Sequence, residues 1–314
     1  MVDGTLLSAL LLALGAGALF GGAELLVKGA GNLALGLGLR AATVGVTVVA
    51  FATTAPELFV AILGALDVSS DVGFGTVVGS NIANIALVLG VSALIRPLSI
   101  SDAMMRRHVP FMVLAAVLLP VLALDGRIGK LEGGILLAVL AGFTGYLLHT
   151  VNSSPAAAEM PDGGRDGVAA RDVAFVLAGL VTLLVGSRWL ISGGSSLLLA
   201  MGVSEFVVGV TVLALGTSLP ELAASAVGAA RGETEFTVGN VVGSNIYNIV
   251  AVLGLLAVAV PITVTDSVLR FELPLVVAFT LVLVGMMWRG RRLTRVDGAV
   301  LVVSYAVFVR FLFV

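Results

Sequence analysis

The chain carries the same sequence pattern twice, 164 positions apart. The segment Gly45-Val-Thr-Val-Val-Ala-Phe-Ala-Thr-Thr-Ala-Pro-Glu-Leu58 returns as Gly209-Val-Thr-Val-Leu-Ala-Leu-Gly-Thr-Ser-Leu-Pro-Glu-Leu222. The segment 75–90 returns as 239–254, with 12 of 16 positions identical. An apolar bias alone would not reproduce matched Pro, Glu, Ser and Asn residues. Such a repeat indicates a duplicated structural unit, so the fold is expected to have two related halves.

The composition places both halves in a membrane. Of the 314 residues, 59% are apolar and 11% are charged, and mean hydropathy is +1.15. A soluble domain usually carries about 25% charged residues. A soluble enzyme, a nucleic-acid-binding protein and a disordered scaffold are therefore poor interpretations. The net charge of −2 also offers no electrostatic footprint for nucleic acid.

Several kinds of site lack the side chains that they need. The chain has no cysteine, which excludes disulfides, thiolate metal sites and cysteine nucleophiles. His108 and His149 are the only histidines, so a multi-histidine metal centre is excluded as well. The protein is not expected to be an enzyme or to need a cofactor, and no protein partner is implied.

A helix that crosses the bilayer needs about 20 mainly apolar residues. Ten such stretches lie near 5–27, 41–66, 73–95, 109–124, 131–150, 173–198, 206–230, 237–260, 272–288 and 297–314. Each half holds five, an odd number, so the second half should sit upside down relative to the first. The predicted fold is an all-α membrane protein whose ten transmembrane helices form two inverted-topology repeats. This is the plan of secondary transporters, whose sites lie near the bilayer midplane.

The polar segment between the halves divides the chain. Residues 151–172 contain proline, several glycines and mixed charges, which is typical of a linker. The expected organisation is a first repeat at 1–150, a cytoplasmic linker at 151–172 and a second repeat at 173–314. With the N-terminus outside, 12 of the 17 basic residues fall on the inner side. Both termini are therefore predicted to lie outside the cell.

Two acidic residues occupy equivalent positions inside apolar stretches. A charged side chain at the bilayer centre costs roughly 2.5–3.5 kcal/mol on insertion scales. Glu57 and Glu221 have no Lys or Arg in the apolar stretches around them that could compensate for this cost. A bound cation is the simplest partner. The alternative is a pair of protonated glutamic acids that pack the two halves together.

A proline precedes each of these glutamates. Proline lacks an N–H group and clashes with the carbonyl four residues back. Pro56 and Pro220 are therefore expected to break their helices around Ala52 and Gly216, where irregular backbone must line a cavity or be covered by protein. The alternative is a simple kink. The carbonyls that a break would free are those of Ala50, Thr53, Ala214 and Thr217.

Further oxygen atoms surround the glutamates in the sequence. The candidate ligands comprise the hydroxyl groups of Thr53, Thr54, Thr217 and Ser218, together with the pairs Ser80–Asn84 and Ser244–Asn248. The members of each Ser–Asn pair are four residues apart and share a helix face. Asn81 and Asn245 are expected to bond backbone instead, and Gly79 and Gly243 to allow close helix packing.

Such a set of ligands contains only oxygen. Calcium takes 6–8 oxygen ligands in flexible geometry, whereas magnesium usually keeps its waters. Sodium accepts similar oxygens, and two carboxylates can neutralise one divalent ion.

Elsewhere, Glu24 and Lys28 are spaced to pair along one helix, and Arg188 replaces Glu24 in the second half.

The motifs resemble those of a known family. Ala52-Thr-Thr-Ala-Pro-Glu-Leu58 with Gly79-Ser-Asn-Ile-Ala-Asn84, and Gly216-Thr-Ser-Leu-Pro-Glu-Leu222 with Gly243-Ser-Asn-Ile-Tyr-Asn248, are similar to the two alpha repeats of sodium/calcium exchangers. These belong to the cation/calcium exchanger superfamily, and the small size is typical of a prokaryotic member. The resemblance implies ten helices and electrogenic exchange of about three sodium ions for one calcium ion. It also implies that the first helix of each half slides against the helices that hold the ions.

The resemblance also assigns roles to the candidate residues. It implies that Glu57 and Glu221 bind calcium and share in sodium binding, with carbonyl oxygens of Thr53 and Thr217 on calcium. The outer sodium sites would use Thr54, Ser80, Ser218 and Ser244 with the carbonyls of Ala50 and Ala214, and Asn84 and Asn248 would line the centre. Potassium-coupled relatives carry aspartate at the position of Asn248, so the neutral residue disfavours potassium coupling.

The sequence thus predicts an antiporter that exchanges sodium for calcium in a lipid bilayer, without a nucleic-acid partner. A calcium/proton antiporter that uses the same glutamates is the first alternative, and a cation channel is the second. An intramembrane hydrolase is a remote third, because no histidine lies near Ser80 or Ser244.

Overall fold

Helices account for nearly all of the described chain. The computed structural model describes residues 2–37, 39, 41–67, 70–152, 168–202 and 216–312. Most of the expected linker and the first part of the expected stretch 206–230, including Ala214, lie outside these residues. In the first half the helices are α1 Val2–Gly36, α2 Ala41–Thr53, α3 Ala55–Asp67, α4 70–95, α5 Met104–Leu122 and α6 Lys130–Asn152.

The second half follows the same order from its first helix onward. Its helices are α7 Ala170–Ala200, α8 Leu219–Arg231, α9 Thr234–Ala259, α10 Glu272–Trp288 and α11 Arg295–Leu312. A short helical turn, Asp266–Arg270, precedes α10.

Seven helical segments in the described part of the chain are long and apolar enough to cross a membrane. They lie at Leu6–Gly36, Gly73–Ile95, Met104–Leu122, Lys130–Leu147, Ala170–Ala200, Thr234–Ala259 and Asp266–Trp288. The other three expected stretches give shorter or more polar helices. A break at Thr54 divides the second, the seventh is described only from residue 216, and α11 carries three charged residues. The fold is that of an integral membrane protein crossing the bilayer several times, and the count of ten stays a prediction.

The first helix is longer than the sequence indicated. The apolar stretch was expected near 5–27, but α1 continues to Gly36. The ammonium group of Lys28 lies 5.4 Å from the centre of the Phe175 ring on α7. This cation–π contact lets a charged residue remain within a packed helix.

Helices α1 and α7 pack against each other in antiparallel directions at very short range. Glycines recur every seven residues on both facing surfaces, at Gly15, Gly22 and Gly29 and at Gly179, Gly186 and Gly193. A methyl group added at Gly22 would lie 2.8 Å from the backbone nitrogen of Leu183. Small residues allow helix backbones to approach in this way in membranes. The two helices therefore form one closely joined pair.

Two very short sheets were not expected in an all-α protein. Strand β1 (Leu98–Ser99) pairs antiparallel with β4 (Arg292–Leu293), and β2 (Arg127–Ile128) pairs with β3 (Ile262–Thr263). Each sheet joins the first half to the second. Helix α5 separates β1 from β2 by about 28 Å, so the two sheets lie at opposite ends of the bundle. Two-residue strands give no alternating pattern that a sequence could reveal.

The core lies around α4 and α9. Phe74, Ile82, Val238 and Ile246 on these two helices are almost completely buried. In contrast, α1, α7 and α11 expose large apolar side chains such as Phe20, Leu177 and Phe311. Exposed apolar surface of this extent suits contact with lipid. The two motif-bearing helices are thus held at the centre of the molecule, away from lipid.

Candidate functional site

Helix interruptions precede both glutamates. Helix α2 ends at Thr53, Thr54 forms a turn and α3 begins at Ala55. In the second half, a turn at Thr217 and Ser218 precedes α8. The breaks lie one or two residues later than expected, because each proline occupies the second position of a new helix. The missing N–H has no helical partner at that position, so proline is tolerated there.

The glutamates occupy the first turns of α3 and α8. Both side chains are fully buried, and their carboxylates lie close enough to repel each other. The first N–H groups of a helix have no helical hydrogen-bond partner, and they favour a nearby negative charge. Among the described residues, no donor meets standard hydrogen-bond geometry with any of the four carboxylate oxygens. The structure therefore brings the two predicted acids into one buried site.

Contacts between the halves surround these carboxylates. Thr53 of the first half lies beside the Glu221 carboxylate of the second. The hydroxyl oxygens of Ser80 and Thr217 lie 3.4 Å apart, again across the repeat boundary. Both motifs of the first half thus meet the proline-containing motif of the second half at one place.

Unpartnered oxygen atoms concentrate in this site. In the described part of the chain, eighteen buried side-chain nitrogen or oxygen atoms lack a hydrogen-bond partner. Eleven of them belong to seven predicted ligand residues: Thr54, Glu57, Asn84, Ser218, Glu221, Ser244 and Asn248. Burying a polar group without a partner costs roughly 1–3 kcal/mol, and more for a charge. Nine of these eleven atoms are oxygens, and such a concentration of unpartnered oxygen atoms suits a cation.

The backbone carbonyls are less free than expected. The Ala50 carbonyl accepts the Thr54 N–H at 3.0 Å and the Thr53 hydroxyl at 3.3 Å. Both lone pairs of this oxygen are therefore occupied. The carbonyl would have to give up one of these hydrogen bonds before it could bind an ion. Ala214, the equivalent residue, lies outside the described part of the chain. Ligation by these two carbonyls stays a prediction.

Asn81 and Asn245 behave alike in the two halves. Their amide groups donate to the carbonyls of Val77 and Val241, four residues back, at 2.9 and 2.8 Å. These carbonyls belong to intact helix, not to the broken backbone near the prolines. Both residues therefore hold their own helices and leave an amide oxygen unpartnered.

One feature of the site was missed in the sequence. The helix widens to π geometry from Asn84 to Val88 and from Asn248 to Leu253, so a wide turn begins at each candidate asparagine. A third wide turn, Gly45–Val49, precedes Thr53. Such turns occur often at functional sites. Nothing in residue spacing predicts them, because the same apolar residues would also fit an ordinary α-helix.

A close helix approach supports the site from behind. A methyl group on Gly243 would lie 2.6 Å from the Ala50 side chain and 2.6 Å from the Val46 carbonyl. The expected packing role is therefore present at Gly243. A methyl group added at Gly79 would meet no atom of the described residues within 4 Å, so no close packing is seen at that position.

A polar contact in the second half ties α8 to α9. The Asn240 amide donates to the Ser225 hydroxyl at 3.1 Å, and the Thr237 hydroxyl donates to the Ser225 carbonyl at 3.3 Å. The equivalent first-half residues are Ala61, Gly73 and Thr76. Because these residue types are not repeated in the first half, matching the two halves could not reveal the contact.

The expected pairing of Glu24 with Lys28 is wrong. The Glu24 carboxylate forms an ion pair with Arg231 at the end of α8, and Lys28 lies over Phe175. A partner on another helix was not visible in the spacing along α1.

No group of three or more His, Cys, Asp or Glu side chains that could hold a metal ion occurs among the described residues. The candidate site instead offers two carboxylates and several neutral side-chain oxygens. A site with two fixed negative charges holds an ion less tightly than a site with three or more. Such a site suits an ion that binds and then leaves.

Comparisons with known proteins find similarity over both halves of the chain. A family model described as sodium/calcium exchanger protein matches residues 7–149 and 172–314. The inner membrane protein YrbG of Escherichia coli is 31% identical over 285 residues, which cover 85% of this chain and 84% of YrbG. The sodium/calcium exchanger MaX1 of Methanosarcina acetivorans is 29% identical over 346 residues, covering 97% of this chain and 98% of MaX1.

A solved structure shares the fold. The sodium-calcium exchanger NCX_Mj, soaked with 10 mM Na⁺ and no Ca²⁺, superposes with a TM-score of 0.85. The alignment has 26% sequence identity and covers 98% of this chain and 99% of that one. The family comprises transporters, not enzymes. With matches over nearly the whole of both repeats, the chain belongs to the sodium/calcium exchanger family.

Proposed function

We propose that this protein is a secondary active antiporter that exchanges sodium for calcium by alternating access. The observation that carries the proposal is the pair Glu57 and Glu221, which come from equivalent positions and share one fully buried site. The names of MaX1 and NCX_Mj, both sodium/calcium exchangers, support the same ions.

The chemistry of the site favours these two ions. One calcium ion would balance the two carboxylates and take its remaining ligands from neutral oxygens. Sodium ions would use the same oxygens, several at a time. Magnesium holds its water shell too tightly for such a site, and the softer transition metals prefer nitrogen or sulfur ligands.

The ligand assignment is part of the proposal. Glu57 and Glu221 would bind calcium with the carbonyls of Thr53 and Thr217, and would also contribute to sodium binding. The side chains of Thr54, Ser80, Ser218 and Ser244 and the carbonyls of Ala50 and Ala214 would serve sodium. Asn84 and Asn248 would line the centre, where their four unpartnered amide atoms support a polar role.

The proposed architecture explains alternating access. It comprises ten transmembrane helices in two inverted repeats, 1–150 and 173–314, joined by a cytoplasmic linker at 151–172, with both termini outside a prokaryotic cell membrane. The two interhalf sheets at opposite ends of the bundle support the inversion. Inverted halves can exchange conformations, which opens a central site to one side and then to the other.

Charge couples the two ions. The carboxylates cannot stay ionised and unpaired in a low-dielectric site, so the protein without ions resists the change of access. Either one calcium ion or several sodium ions neutralise the site and allow the change. About three sodium ions per calcium ion would move one net charge, and about 2.3 kcal/mol per 100 mV would then bias the direction.

The test is calcium uptake into proteoliposomes loaded with sodium. Radiolabelled calcium should enter when sodium is high inside and low outside, and uptake should stop when the sodium gradient is collapsed. Glu57→Gln and Glu221→Gln should each abolish uptake. Asp266→Asn is the matched control, since this carboxylate is exposed and lies in a short surface helix.

Other outcomes would identify the alternatives. Calcium flux that follows a pH gradient and ignores sodium would identify a calcium/proton antiporter. Calcium flux without any counter-ion, at rates far above those of transporters, would identify a channel. Uptake at the unsubstituted rate in both glutamine variants would show that the site assignment is wrong.

A further inference from the structure

An ion pair ties α1 to the end of α8. The Glu24 carboxylate contacts the Arg231 guanidinium, and their side chains are 28% and 41% exposed. Arg231 is the last residue of α8, and Arg96 at the end of α4 lies against the adjacent Gly232. The pair therefore lies towards the end of the bundle that carries β1 and β4.

The internal repeat carries this pair a second time with its charges reversed. The residue 164 positions after Glu24 is Arg188 on α7, and the residue 164 positions before Arg231 is Asp67, where α3 ends. An acid on α1 and a base at the end of α8 thus correspond to a base on α7 and an acid at the end of α3. Both positions changed sign together, which preserves attraction between them.

The two pairs belong to opposite ends of the molecule. Gly15 meets Gly186 and Gly22 meets Gly179, so the centre of the α1–α7 contact lies between these levels. Glu24 lies about 8 Å beyond that centre, towards the C-terminal end of α1. Arg188 lies about 8 Å beyond it on α7, which runs the other way. The repeat thus places one pair on each side of the centre.

The first pair is formed in this structure, where Glu24 and Arg231 are in contact. The Arg188 side chain is exposed on α7, and the Asp67 side chain lies outside the described part of the molecule. Inverted repeats that exchange conformations would break the first pair while forming the second.

We propose that Glu24–Arg231 and Asp67–Arg188 are alternating latches, each closing one end of the transporter while the other is open. This inference rests on the proposed alternating access. A partly exposed ion pair is weak, so each latch would bias the equilibrium and still open in every cycle.

The experiment uses disulfide trapping, for which the absence of native cysteine is an advantage. The double variants Glu24→Cys with Arg231→Cys and Asp67→Cys with Arg188→Cys should each cross-link on oxidation in proteoliposomes. Adding Arg231→Glu to the second variant places two acids at the first latch. Cross-linking at the second latch should then accelerate about threefold to fivefold, because its closed state gains population.

Control variants separate this effect from general damage. Arg270→Glu disrupts an exposed ion pair with Asp266 and should leave the cross-linking rate unchanged. Exchanging the charges, with Glu24→Arg and Arg231→Glu together, should return the rate to its starting value. An unchanged or slower rate with Arg231→Glu would overturn the proposal, as would failure of the second double variant to cross-link.

The readout also distinguishes this proposal from the proposed function. Cross-linking does not depend on which ions are carried, so the latches can be tested even where sodium-driven calcium uptake fails. If the unsubstituted protein exchanges sodium for calcium but cross-linking at the two ends is independent, only the latches are wrong.

Discussion

Ser80 and Thr217 are 137 positions apart in the chain, yet their hydroxyl oxygens lie 3.4 Å apart at the centre of the molecule. The two residues come from different motifs in different halves. Their repeat equivalents, Ser244 and Thr53, do not form the same contact, since the Thr53 hydroxyl bonds to Ala50 and the Ser244 hydroxyl is unpartnered. The structure is therefore asymmetric although its sequence is duplicated.

This asymmetry predicts different energetic coupling in the two pairs. In sodium-free and calcium-free detergent solution, Ser80→Ala and Thr217→Val should each destabilise the protein, and the double variant should cost less than the sum. The expected coupling is about 1 kcal/mol. Thermal unfolding measures it. The matched cycle, Ser244→Ala with Thr53→Val, should be additive, and equal coupling in the two cycles would contradict the observed asymmetry.

Calcium should stabilise the protein through the two carboxylates. A ligand that binds only the folded state adds about 2.7 kcal/mol at a concentration of 100 times Kd. The thermal midpoint should therefore rise with calcium and fall when a chelator is added. Glu57→Gln and Glu221→Gln should remove this response, whereas Asp266→Asn should keep it. A calcium response that persists in both glutamine variants would place the ion elsewhere.

The glycine contact between α1 and α7 should tolerate no side chain. Gly22→Val would force a side chain against the Leu183 backbone, whereas the neighbouring Gly21 has open space. Overpacking typically costs about 1–3 kcal/mol, and both variants carry the same helix-propensity penalty. The thermal midpoint of Gly22→Val should therefore fall well below that of Gly21→Val. Similar midpoints would show that the helices separate easily.

Exchange should respond to membrane voltage. With about three sodium ions leaving for each calcium ion that enters, one positive charge leaves the vesicle per cycle. An inside-positive potential set with potassium and valinomycin should accelerate calcium uptake, and an inside-negative potential should slow it. Uptake that ignores the potential would indicate two sodium ions per calcium ion.

Most of the candidate site could be predicted because it depends on a few chemically costly residues. A glutamate in an apolar stretch is expensive, and its recurrence 164 positions later, with the same proline, serine and asparagine neighbours, pointed to one shared pocket. The structure brings Glu57 and Glu221 together as expected. The wide helical turns at Asn84 and Asn248 could not be foreseen, because one extra residue in a helical turn leaves no trace in an apolar sequence.

The fold could be predicted only where local physics is strong. Long apolar segments indicated helices and a membrane, and the prolines indicated the breaks near Thr54 and Thr217. The first apolar stretch was expected near 5–27, whereas α1 continues to Gly36. The charge of Lys28 lies over Phe175, which is far away in sequence but belongs to the helix packed against α1. The two-residue sheets were missed for a similar reason, since each strand is stabilised only by its partner in the other half.

The sequence by itself determined that the protein lies in a membrane and that its two halves are related. It also identified the buried acids, because burying a charge in lipid is costly wherever it occurs in the chain. Tertiary structure alone decided that Glu24 pairs with Arg231 and that Ser80 meets Thr217. Those partners are far apart in the chain, and only packing of the two halves fixes their distance.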